Sequence, residues 1–109
     1  MVKSKEDLEI QMKYAIAFRK LMNEHRKKWI EGDQSTSVIN SYNKLYLEAE
    51  LRKATLIDIF WGKSNPSAIT ISKIISALGK THKEFGELLD GITEDDLVKF
   101  KKLLAKKQK

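Results

Sequence analysis

Residues 45–67 read LYLEAELRKATLIDIFWGKSNPS, and the folding of this stretch decides the rest of the chain. It divides into two short helical segments, a glycine stop and a turn. Leu45, Ala49, Leu51, Leu56, Ile59 and Phe60 are spaced so that two crossing helices share one small core. Glu50, Leu51 and Arg52 leave room for only a brief turn between the helices. Arg52, Lys53, Ala54, Ile57, Asp58 and Trp61 fall mostly on the other side of the second helix, and the spacing predicts that they face outward. A tight pair of helices with an exposed second member has a shape that fits a DNA major groove.

The residues that follow continue the pattern. Leu51 sits at the turn, and Leu56 and Ile59 take two inward positions of the second helix. After it comes Gly62-Lys63-Ser64-Asn65-Pro66-Ser67, then Ile71, Ile74, Ala77, Leu78, Gly79 and Phe85 in the register of two further helices. Together with a first helix around Phe18 and Leu21, residues 14–90 resemble the Cro/phage-repressor-like helix-turn-helix family, also called the xenobiotic-response-element family. That family carries a Gly-Lys-x-Asn-Pro-Ser run after its recognition helix. The resemblance implies an all-α fold, a lambda-repressor-like five-helix bundle, here with an extended first helix and an added C-terminal helix. It also implies sequence-specific binding of double-stranded DNA, commonly as a homodimer and in transcriptional control. By the same resemblance the base-reading positions fall on Lys53, Ala54 and Asp58, with Arg52 and Thr55 beside them. The chain departs from the family at Tyr46, where a small residue is usual and a tyrosine implies a wider or shifted helix crossing. It departs again at Phe60, in place of a common Glu, and in the long link over residues 27–40.

Composition sets the outer bounds. The chain has 109 residues, 41% of them hydrophobic, which suits one domain over residues 1–109 with a modest core. It has no cysteine, which excludes disulfides, thiolate metal sites and a cysteine nucleophile. The start, MVKSKEDLEI, is too charged for a signal peptide. No apolar run approaches the roughly 20 residues that span a bilayer. A cytoplasmic protein, nucleoid-associated when bound to DNA, is the expectation. The net charge of +6 favours polyanionic partners, although 21 basic against 15 acidic residues would also serve solubility alone. The cations cluster: Arg19, Lys20, Arg26, Lys27 and Lys28 near the end of the first helix, and Lys99, Lys101, Lys102, Lys106, Lys107 and Lys109 at the C-terminal end.

Taken in order, the chain turns helical from about Asp7 and meets no Gly or Pro before Gly32. Leu8, Met12, Tyr14, Ala15, Phe18, Leu21 and Met22 form an apolar stripe, and Gly32 is the expected stop. A polar loop over residues 32–37 follows, with Val38 and Ile39 able to anchor it and Asn40 or Ser41 as the cap of the next helix. The recognition helix is expected over about residues 53–61. Arg52 stands in its N-cap region, a poor cap and a cation at the positive end of a helix; a nearby phosphate would reverse that sign. Gly62 ends the helix, and Pro66 keeps Asn65 out of helical geometry. Ser67 caps a helix ending at Gly79, and Thr81-x-x-Glu84 is a capping box for a short helix broken at Asp90-Gly91. Thr93-x-x-Asp96 opens a last helix over about residues 94–107. Leu97, Phe100 and Leu104 share one of its faces, with Val98 and Leu103 beside it.

No motif points to catalysis, and neither a cofactor nor a metal is expected. Gly62-Lys63-Ser64 resembles the end of a phosphate-binding loop, but that motif needs a glycine where Ile57 stands. His25 and His82 are far apart and lack clustered ligands, and no nucleophile-elbow spacing occurs. Glu94, Asp95 and Asp96 read as the acidic first turn of a helix.

Binding residues therefore sort by the part of a duplex they would meet. Tyr42 and Asn43, and Lys63, Ser64 and Asn65 after the recognition helix, would donate to phosphates. Arg52 and Lys53 suit guanine O6 and N7, Asp58 accepts from cytosine N4, and Ala54 and Ile57 suit thymine methyls. Each has a plainer alternative. Arg52 and Lys53 can be a solvated helix edge, and Asp58 can pair with a cation one turn away. Ile57 and Trp61 can pack under the first or last helix. Exposed instead, those two would form an apolar patch for a protein partner, and the chain would be an interaction module of the antitoxin type on the same scaffold.

Overall fold

The computed structural model describes residues 5–30 and 42–107, with the side chains of His25, Arg26, Lys28, Trp29, Ile30, Tyr42, Asn43 and Lys107 outside that description. These residues form six helices: α1 (Lys5–Ile30), α2 (Tyr42–Ala49), α3 (Lys53–Phe60), α4 (Ala68–Ala77), α5 (His82–Asp90) and α6 (Glu94–Lys107). The fold is all-α among the described residues. Gly32, the polar loop, Val38 and Ile39, and the cap at Asn40 or Ser41 lie outside them. No described helix is long and apolar enough to cross a membrane.

The order of packing explains why the short helices hold. α1 touches α3, α5 and α6; α2 touches α3 and α4; α4 touches α5. Helices α1 to α5 thus close a ring of contacts, and α6 lies outside the ring on α1. At the middle, the Phe18 ring lies between Phe85 (centroids 4.8 Å apart) and Phe60 (5.8 Å). One core runs from Ala15 to Phe100 and includes Leu97, so α6 belongs to the core rather than trailing from it. Ser72 Oγ and His82 Nε2, 3.0 Å apart, tie α4 to α5.

Helix ends follow local chemistry closely. The Ser67 hydroxyl accepts from the Thr70 amide at the start of α4. Thr81 and Glu84 form the expected capping box on α5. Thr93 and Asp96 do the same for α6, with the Asp96 amide donating to Thr93 Oγ1 and the Thr93 amide to Asp96 Oδ2. These reciprocal bonds satisfy first-turn amides that have no partner inside the helix. At the other ends, Gly62 and Gly79 take the left-handed conformation, φ +69° and +70°. Both close the paired bonds of a Schellman stop.

The apolar stripe of α1 starts later than its spacing predicts. Leu8 is exposed, and burial begins at Gln11 and continues at Ala15, Ile16, Ala17, Phe18, Leu21 and Met22. Val98 and Leu103 of α6 are exposed as well. Periodicity identifies the face of a helix but not where neighbouring helices stop covering it.

Candidate nucleic-acid interface

The turn between α2 and α3 is sharp because α2 ends in a Schellman closure built on Glu50. The Leu51 amide bonds the Tyr46 carbonyl at 3.0 Å and the Glu50 amide bonds that of Leu47 at 3.3 Å. Glu50 takes φ +56°, the one non-glycine with positive φ among the described residues. A side chain there costs about 1–2 kcal/mol relative to ordinary helical geometry. Leu51 then turns onto the core, and Arg52 is extended at φ −72°, ψ 140°. Tyr46 is half-buried and packs against the same core.

α3 has eight residues. Isolated helices shorter than about 12–15 residues are marginal in water, so packing must hold this one. Leu56, Ile59 and Phe60 are buried; full burial of such side chains stabilises by roughly 1.5–3 kcal/mol each. With that face fixed inward, Arg52, Lys53, Ala54, Thr55 and Asp58 are all exposed. Among the described residues, no ion pair engages Arg52, Lys53, Asp58 or Lys63. Asp58 thus lacks the cation one turn away that its plainer reading required. Three cations, Arg52, Lys53 and Lys63, stand against this one carboxylate on and beside α3.

The two ends of α3 differ. No side chain caps the N-terminal end: Arg52 is the N-cap residue and makes no capping bond, unlike Ser67, Thr81 and Thr93 on the next three helices. The C-terminal end is closed. The carbonyls of Ile57, Asp58 and Ile59 accept from the amides of Trp61, Lys63 and Gly62. The last carbonyl, of Phe60, accepts from Arg19 Nε of α1 at 2.7 Å.

Arg19, one of the cations clustered near the end of the first helix, thus has a structural place. Its guanidinium carbon lies 4.1 Å from the centre of the Trp61 ring and 5.6 Å from that of Phe100. A cation over an indole contributes roughly 0.5–2 kcal/mol, more as water is excluded. The signal was present in the spacing: Arg19 is four residues after Ala15 and three before Met22, on the edge of the buried stripe. Trp61 is therefore not outward-facing as the helical spacing predicted; it is half-buried beneath Arg19 of α1. Ile57 is half-buried too. The pair considered as an apolar docking patch is thus only partly exposed.

Beyond α3, Lys63 and Asn65 are exposed. Ser64 is not equivalent to them: its Oγ is shut away from solvent and makes no hydrogen bond, so it offers nothing to a phosphate in this conformation. Tyr42 and Asn43 fall in the first turn of α2, with their side chains outside the description. The structure thus leaves Arg52, Lys53, Ala54, Thr55 and Asp58 exposed around the N-terminal turns of α3, with Lys63 and Asn65 exposed after it. No protein family, curated protein or solved structure matches this chain.

Proposed function

We propose that this protein binds double-stranded DNA in a sequence-specific way, laying α3 in the major groove as a transcriptional regulator. The observation that carries the reading is the outward face of α3: polar, exposed, without ion pairs, and uncapped at its N-terminal end. A helix N-terminus with open amides and adjacent cations suits a phosphate. Arg52 and Lys53 fit guanine and Asp58 fits cytosine. Lys63 and Asn65 would hold the backbone that borders the groove. The reading includes the lambda-repressor-like arrangement of α1 to α5 and a homodimer, because a single short helix reads few base pairs and two-fold pairing doubles the site.

Titration of a labelled mixed-sequence duplex at graded salt tests this. With a few phosphate contacts per subunit, affinity should fall by about tenfold to a hundredfold between roughly 50 and 200 mM salt. Absent or salt-independent binding would overturn the reading. A second reading, a protein-interaction module, draws on another surface. Leu47 and Ile69 are 67% and 70% exposed, and Ile69 lines an open groove between α2 and α4 with Glu48, Glu50 and Lys73. Loss of DNA binding together with a partner seated on that groove would favour it.

A further inference from the structure

We infer that Arg19 is a positioning residue for the duplex-reading helix: it fixes the C-terminal end of α3 and so sharpens sequence discrimination without touching DNA. The discrimination role rests on the DNA-binding reading; the fixing of α3 does not. Arg19 Nε supplies the donor for the Phe60 carbonyl, which the helix's own closing bonds leave over. Its guanidinium covers Trp61, the C-cap residue of α3, and reaches Phe100 of α6. Arg19 Nη2 is shut away from solvent, which turns that edge of the group inward.

Gly62 completes the same junction. A Cβ at Gly62 would lie 3.4 Å from Phe100 and 3.6 Å from the backbone of Met12. Three helices therefore meet at the closed end of α3. The open end carries the side chains that would read bases. Leu51 and Leu56 seat the rest of α3 on the core and its eight residues move together, so small changes at Arg19 become displacements at Lys53 and Ala54. Base contacts depend on placement to a fraction of an ångström, whereas attraction to phosphates depends mainly on charge.

Arg19→Lys separates the two. It keeps the charge but loses the planar stack and the Nε donor. Trp61→Leu removes the ring from the other side and should reproduce its effect, so failure of one variant to fold does not end the test. Folding is checked by circular dichroism. Selection from a random duplex pool by the wild-type chain supplies a preferred and a scrambled duplex. For either variant the preference should shrink about tenfold or more, with the salt slope on the scrambled duplex unchanged. Independently, amide exchange at Trp61, Gly62 and Lys63 should accelerate about tenfold relative to Ile74 and Ile75.

Unchanged preference in both folded variants overturns the discrimination role. Unchanged exchange overturns the positioning itself. If the wild-type chain binds neither duplex, the DNA-binding reading fails along with the discrimination role, while exchange still decides whether Arg19 fixes α3.

Discussion

The two ends of α3 are built on opposite terms. At the C-terminal end every one of the last four carbonyls has a donor, a glycine takes a left-handed turn, and Arg19 closes the junction from another helix. At the N-terminal end a long cation stands where a small hydroxyl or carboxylate would stabilise more. Helices α4, α5 and α6 each use such a cap, so the fold has ready access to this chemistry. The difference teaches where α3 is held and where it is left available. One end serves stability, and the other keeps polar groups open at some cost to stability.

The largest effect expected from breaking this contrast comes from Arg52→Ala with Lys53→Ala. Duplex binding should weaken by about a hundredfold or more, since each good base pairing is worth roughly 1–3 kcal/mol. The helical circular-dichroism signal and the melting temperature should barely change. A large loss of stability would instead give those side chains structural roles. Gly62→Ala strikes the closed end. The left-handed geometry and the approach to Phe100 should together cost about 1–3 kcal/mol in denaturant unfolding. A neutral result would show that the junction adapts and is not tightly set.

Arg52→Ser addresses the trade directly. The backbone at position 52 is already extended, as a cap requires, so a serine there should raise stability by about 0.5–1 kcal/mol while weakening duplex binding. If both quantities fell together, Arg52 would be supporting the fold.

The smallest effect concerns the start of α6. The Thr93 backbone amide, foremost, and the nearby Lys20 charge hold the Asp96 carboxyl below its ordinary value; Lys20 Nζ lies 3.5 Å from Asp96 Oδ2. A depressed carboxyl contributes stability that is present above the unfolded value and is lost as pH falls through the folded one. Unfolding midpoints measured from about pH 5 downward should therefore decline less steeply for Asp96→Asn than for the wild-type chain.

What was legible in the sequence was what neighbours in sequence decide. The caps at Ser67, Thr81 and Thr93, the stops at Gly62 and Gly79, and the inward set Leu45, Leu56, Ile59 and Phe60 all follow from short-range patterns, and the structure has them in place. The exposure of Arg52, Lys53 and Asp58 followed from the same periodicity. What escaped depends on the distant parts of the chain that cover a residue. Trp61 lies on the predicted outer side of α3, yet Arg19 of α1 reaches over to cover it. Arg19 counts as one more cation until the Phe60 carbonyl is placed beside it. Ser64 has the type and position of a phosphate donor, but the turn that holds it tucks its hydroxyl inside. Leu8 has the right spacing, yet it is exposed.

The most direct test maps backbone amide resonances while a 20-base-pair mixed-sequence duplex, of about two half-sites, is added. The largest shifts should fall at Lys53, Ala54, Thr55 and Asp58, smaller ones at Lys63 and Asn65, with little change at Ile74, Ile75 and Phe85. Largest shifts at Leu47, Ile69 and Lys73, with residues 52–58 unmoved, would contradict the DNA-binding reading.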